Sequence, residues 1–141
     1  MTREETVEFF AARQVLWSRR DAAGLAALHT EDGIVVSPLL ATVHGRPAIE
    51  QSYNALFGPF PDMDVVGADL LIDGDRVAQV FSATATHVND FYGLPGTGRR
   101  FTIHGVAICT LEGHLIAHEQ RIYDYTALLL QIGVLKVKPG H

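Results

Sequence analysis

Residues 101–125 read FTIHGVAICTLEGHLIAHEQRIYDY, and this stretch decides the fold. Both halves are rich in β-branched and aromatic residues, and Glu112-Gly113-His114 separates them, so the stretch predicts a β-hairpin. Apolar residues lie on both faces of its first strand. Phe101, Ile103 and Ala107 share one face; Val106 and Ile108 share the other. A sheet covered on one side only would alternate more cleanly. One face is therefore expected to pack on helices, and a second copy of the chain is the simplest cover for the outer face.

The hairpin's register decides which polar groups meet. With a two-residue turn, Glu112-Gly113, His104 opposes Arg121. With a three-residue loop, Glu112-Gly113-His114, His104 faces Ile122 and Thr102 faces Asp124. In that second register His104, His118, Gln120 and Asp124 share one face, while Arg121 points to the other. A slip of one residue moves a whole set across the sheet. The two-residue turn has glycine in its favour as the better left-handed residue.

Working outward, residues 65–72 and 77–89 are two more β-runs, joined at Asp73-Gly74-Asp75. Together with the hairpin they make four long antiparallel strands in meander order. Upstream, residues 4–19 carry Val7, Phe10, Ala11, Val15, Leu16 and Trp17 near a 3.6-residue period, with Thr2 and Glu5 as a capping box. Asp21 opens a short helix over 22–29, ended by Asp32-Gly33, and 33–38 reads as a short strand. Pro47 starts a third helix whose stripe is Ile49, Tyr53, Leu56 and Phe57. Residues 126–132 form a last helix, ended by Gly133. The expectation is an α+β domain over 1–141, with N-terminal helices in the concavity of a curved, mostly antiparallel sheet.

The 141 residues are 48% hydrophobic and 19% charged, enough apolar material for a core. Net charge is -5, with the basic residues scattered, which argues against nucleic acid. No apolar run reaches the roughly 18 residues of a membrane span, and the charged N-terminus shows no export signal. A cytosolic location is expected. Cys109 is the single cysteine, too few for a disulfide or a thiolate metal site, and reads as an apolar filler. The histidines lack the helical spacing of a zinc site, so no metal is expected. Gly93-Leu-Pro-Gly-Thr-Gly98 opens no helix and is no phosphate cradle.

Several stretches resemble the SnoaL-like polyketide cyclases. Thr86-His87 and Phe91-Tyr92-Gly93-Leu94-Pro95-Gly96-Thr97-Gly98-Arg99 resemble that family's "GTH…GxPPTGK/R" segment. Asp124 with Leu129-Leu130-Gln131-Ile132-Gly133 resembles its "D…LLxQLG" ending, and Phe60-Pro61-Asp62 fits as well. The resemblance implies the cone-shaped fold shared with nuclear transport factor, ketosteroid isomerase and limonene epoxide hydrolase. It also favours the three-residue loop, because an ungapped match of the tail sets His114 at the family's turn glycine. Ala85 and Gly96 depart from the pattern. Gln120 stands where an aromatic residue is common, which argues against a typical aromatic polyketide.

By this resemblance Asp124 is the acid/base residue, where the residue-level alternative is a helix N-cap. His104 donates to an enolate oxygen or holds Asp124, where the alternative is a hydrogen-bonded core histidine. His118 and Gln120 share that task. Trp17 and Tyr53, on the first and third helices, are placed at the pocket mouth, where the residue-level alternative is plain core. His87, also placed with the substrate, has the alternative of anchoring its loop. The implied function is cofactor-free aldol cyclisation or isomerisation of a small apolar, carbonyl-bearing substrate by a homodimer. Epoxide hydrolysis and non-catalytic ligand binding are the competing readings.

Overall fold

A computed structural model describes residues 1–138; residues 139–141, the end of the expected domain, lie outside the described residues. Helix α1 (Arg3–Ser18) starts on the expected capping box, in which the Thr2 hydroxyl accepts from the Glu5 amide and the Glu5 carboxylate accepts from the Thr2 amide. Its buried stripe is not the expected one. Thr6, Phe10, Arg13 and Trp17 face inward at steps of four, three and four, while Val7 and Val15 are exposed. An arginine therefore sits inside the apolar stripe.

Asp21 caps the short helix α2 (Ala22–Ala27), which ends sooner than expected. Strand β1 (His29–Ser37) begins at once and runs through Gly33, so Asp32-Gly33 lies within a strand rather than at a helix end. The unexpected strand β2 (Ala41–His44) folds back onto it. Helix α3 (Arg46–Phe57) opens with Pro47 in its first turn and buries Ile49, Tyr53 and Leu56. Four strands follow in meander order: β3 (Asp64–Asp73), β4 (Arg76–Thr86), β5 (Arg100–Glu112) and β6 (Leu115–Tyr123). Helix α4 (Tyr125–Gln131) closes the described chain.

The six strands form one curved, unclosed sheet in the order β2-β1-β6-β5-β4-β3. Every pairing is antiparallel except β1 with β6, which is parallel. The helices lie in the concavity. Trp17, Leu25, Val35, Ile49, Tyr53 and Phe60 anchor the larger core, and Phe10, Val77, Cys109, Leu111 and Ile116 form a smaller one. Two side-chain bonds pin α1 to the edge strand: Gln14 donates to the Val65 carbonyl at 2.6 Å and accepts from the Gly67 amide at 2.8 Å. No helix of the described residues is long and apolar enough to cross a membrane.

The last hairpin adopts neither expected register. Glu112 pairs with Leu115, so the turn is Gly113-His114, with Gly113 at φ 61°. The register then shifts between Thr110 and Leu111, leaving Ala117 as an extra residue on β6. Beyond this bulge Cys109 opposes Glu119, Ala107 opposes Arg121, and Gly105 opposes Tyr123. Odd-numbered residues of both strands thus face the helices, and even-numbered ones face outward.

Candidate active site

A cavity of about 70 Å³ lies between α1 and the inner faces of β3 to β6. Clefts that hold drug-sized ligands measure roughly 300–1,000 Å³. The enclosed space therefore takes a fragment-sized group, and anything larger extends through the mouth. Most of the wall is apolar, including Trp17, Phe60, Phe81, Phe101 and Ile103. The charged lining is Arg13 from α1 with Glu119 and Arg121 from β6.

These three residues form one buried network. Glu119 Oε1 accepts from Arg13 Nη2 at 2.8 Å, and Oε2 accepts from Arg121 Nε at 2.8 Å. Arg121 Nη2 donates to the Tyr53 hydroxyl at 3.1 Å, and that hydroxyl lies 3.4 Å from His29 Nε2. The Arg121 guanidinium also lies over the rings of Trp17 and Tyr53, at 5.8 and 5.2 Å from their centroids. Glu119 is 1% exposed, Arg13 4% and Arg121 7%. Ions this deeply placed persist only when paired.

Burial alone would raise the Glu119 carboxyl, but the Arg121 and Arg13 guanidiniums outweigh it and hold Glu119 well below the usual carboxylate range. Both arginines are held charged: burial works against them, and Glu119 more than compensates. His29 goes the other way. Burial, reinforced by Arg13, Arg121 and Arg46 against the pull of Glu119, pushes its pKa down to about 4. Burial raises the Tyr53 phenol, partly offset by Arg121. At neutral pH the network therefore consists of two cations, one carboxylate and uncharged His29 and Tyr53.

The residues expected to form the site are distributed differently. Trp17 lines the cavity, and Tyr53 stands behind it, fully buried, with its ring edge-on to Trp17 at 5.2 Å. His104, His118 and Gln120 do share one face, as the three-residue loop implied, but it is the outer face of the sheet, because the odd-numbered residues of β5 are the ones packed inward. His104 and Gln120 are exposed and His118 half-buried. Asp124 is exposed, caps α4 by accepting from the Ala127 amide at 2.9 Å, and does not line the cavity. His87 is buried under the following loop, with Nδ1 accepting from the Thr97 amide at 3.3 Å, the anchoring geometry. Arg121, expected on the face away from Asp124, is the residue that enters the cavity.

Sequence reasoning passed over Glu119, Arg13 and His29. The signal was available for two of them. Glu119 and Arg121 are opposite charges two apart on a strand whose inner positions continue with Tyr123, and Arg13 falls between Phe10 and Trp17 on a helical stripe.

The model of the SnoaL-like polyketide cyclases matches residues 8–132. The chain belongs to that family. Solved structures agree on the SnoaL-like fold. AclR from Streptomyces galilaeus superposes with a TM-score of 0.83 at 22% identity, covering 98% of this chain and 91% of its own. A protein of ketosteroid isomerase-like fold from Catenulispora acidiphila, solved in complex with trimethylamine, gives 0.75 at 20% identity over 89% and 92%. TerC, co-crystallized with polyporic acid, gives 0.77 at 19% identity over 92% and 98%. No curated protein matches the sequence. Two of these structures of like fold thus hold small molecules of different chemistry.

Proposed function

We propose that the protein is a cofactor-free enzyme acting on a small, apolar, carbonyl-bearing molecule through its enolate, with Arg121 holding the enolate oxygen. One observation carries the reading: a guanidinium fixed by Glu119 and Tyr53 stands in the wall of an otherwise apolar cavity. Nε and Nη2 are committed to these partners, so Nη1 is the nitrogen free for a ligand. A fixed cation in a water-poor cavity stabilises developing oxygen charge without reorganising. A hydrogen bond to a charged group contributes about 1.5–3 kcal/mol. That lowers the pKa of a bound carbonyl compound by about one to two units.

In a cyclisation, water at the mouth takes the α-proton as the C–H bond breaks, and the enolate carbon attacks a second carbonyl carbon of the same molecule. One carbon–carbon bond forms, the second carbonyl π pair becomes an alkoxide, and the protonated water returns its proton to that oxygen. The walls supply the folded geometry. Isomerisation uses the same enolate with the proton returned elsewhere.

Turnover of a panel of small 1,3-diketones and 1,5-diketones tests this. Arg121→Gln is expected to lose at least 100-fold in kcat/KM, and Arg121→Lys less. Unchanged turnover in a folded Arg121→Gln protein removes Arg121 from the chemistry. Epoxide hydrolysis is the second reading, because Glu119 and Arg121 supply the carboxylate–arginine pair it needs inside the cavity. Its weakness is that both carboxylate oxygens are already committed to arginines. Conversion of small epoxides to diols, lost in Glu119→Gln, selects it over the first.

The homodimer belongs to the same proposal. Val80, Val106 and Ile122 oppose one another across β4, β5 and β6 on the outer face, and Val80 and Ile122 are about half exposed. Light scattering of Val80→Lys/Ile122→Lys against the parent protein checks it, with a monomer expected for the variant.

A further inference from the structure

Arg13 and Arg121 meet the single carboxylate of Glu119, and the other ionisable groups coupled to them carry no negative charge at neutral pH. Burial keeps Tyr53 protonated and pushes the Cys109 thiol up to about 12. His29 is neutral, and Arg46 faces it through two bonds to the His29 carbonyl, at 2.8 and 3.1 Å, adding positive rather than negative charge. One positive charge is therefore unmatched at the cavity wall. Arg13 Nε is buried with no hydrogen-bond partner among the described residues, although Arg13 is only 4% exposed. Arg121 retains Nη1. An uncompensated charge in such a place is costly, and a ligand of opposite sign removes that cost on binding.

We propose that the cavity is an anion site, whose ligand is a small apolar molecule bearing one ionised oxygen group, a carboxylate or the enolate of an acidic 1,3-dicarbonyl, seated on Arg121. The inference deepens the reading above and rests on it only for which cavity the substrate enters. A 1,3-dicarbonyl that arrives as its enolate needs no base in the wall. This accords with Glu119 clamped between two arginines and Asp124 at the head of α4. The selectivity is for charge first and shape second, because the apolar lining offers no other polar anchor of comparable strength.

The test uses non-reacting probes, so it is independent of turnover. Trp17 is the only tryptophan of the chain and lines the cavity beside Arg121, which makes its fluorescence the readout. Benzoate is titrated against benzamide, and isobutyrate against isobutyramide, at pH 7 and low salt. In at least one pair the acid is expected to bind ten-fold or more tightly than its amide. Arg121→Lys is expected to keep that preference, and Arg121→Gln to lose it. Amides that bind as tightly as the acids, or no binding of either pair, overturn the proposal. Should Arg121→Gln fail to fold, a preference unchanged in Arg13→Gln and unaffected by added chloride overturns it equally. An acid preference without turnover of any diketone keeps the anion site and discards the enzymatic reading.

Discussion

Glu119 and Arg121 stand two residues apart on β6, both directed into the cavity, and are joined at 2.8 Å along the strand. Alternation alone puts them on one face. Arg13, 106 positions away from Glu119, completes the bridge from α1. The carboxylate therefore ties helix to sheet and at the same time fixes the direction of the arginine side chain. Removing it affects both fold and site.

Glu119→Gln leaves two guanidiniums facing each other without a counter-charge. Loss of one partner of a buried ion pair costs about 3–5 kcal/mol. Urea unfolding at pH 7 checks this through the midpoint, with an unchanged slope. A loss under about 1 kcal/mol would show that the pair is solvated rather than buried.

Stability should fall as the solution is acidified from neutrality. His29 has its pKa pushed down from 6.5 to about 4 in the folded protein, so the unfolded chain takes up the proton first. Its contribution is complete above pH 6.5 and is lost as pH falls towards 4. The full shift corresponds to about 3 kcal/mol as an upper figure. Glu119 is depressed from 4.5, so its own contribution is lost at still lower pH, in the same direction. Urea midpoints between pH 7 and 4 should decline, and His29→Gln should flatten the upper part of that decline.

Asp124 separates a cap from a base. Asparagine is as good an N-cap as aspartate, whereas alanine costs roughly 1 kcal/mol. Asp124→Asn should keep both stability and turnover, and Asp124→Ala should lose stability alone. Turnover abolished in a fully folded Asp124→Asn protein would return the acid/base role to Asp124.

Gly105 faces Phe81 across the β4–β5 ladder, and a Cβ there would meet the Phe81 ring at 2.7 Å and the Ile122 carbonyl at 2.6 Å. Phe81 lines the cavity, so displacing its ring alters the cavity wall. Gly105→Ala should cost about 1–3 kcal/mol by overpacking. It should also weaken benzoate binding in the Trp17 titration. Unchanged binding would show that the ring swings elsewhere.

Much of the fold was legible. The Thr2–Glu5 box, Pro47, Gly74 and Gly113 each act locally, and local chemistry is what a sequence displays. Strand β2 was missed because Ala41–His44 is mostly exposed and carries no apolar pattern. The stripe of α1 was misread because Val7 and Val15 are apolar yet exposed, whereas Arg13 is charged yet buried. The site was less legible still. Its floor depends on one extra residue, Ala117, in a bulge that no turn residue marks. That bulge puts Arg121 opposite Ala107 on the inner face, whereas an unbulged strand would set it opposite Val106 on the outer one. Asp124 was correctly foreseen as a possible cap, and its position in the family pattern drew attention from Glu119, five residues earlier.

The parallel pairing of β1 with β6 has a consequence for how the protein is made. It joins residues far apart in sequence, as do the bonds from Arg13 to Glu119 and from Tyr53 to Arg121. Contacts so distant in sequence form late, because loop closure must precede them. During synthesis α1, α2, α3 and β1 emerge long before β6 exists. Until then Arg13 has no counter-charge and the concave apolar surface has no wall. The cavity is thus assembled only once β6 has been made, and a product truncated before it would leave Arg13 unpaired on an open apolar face.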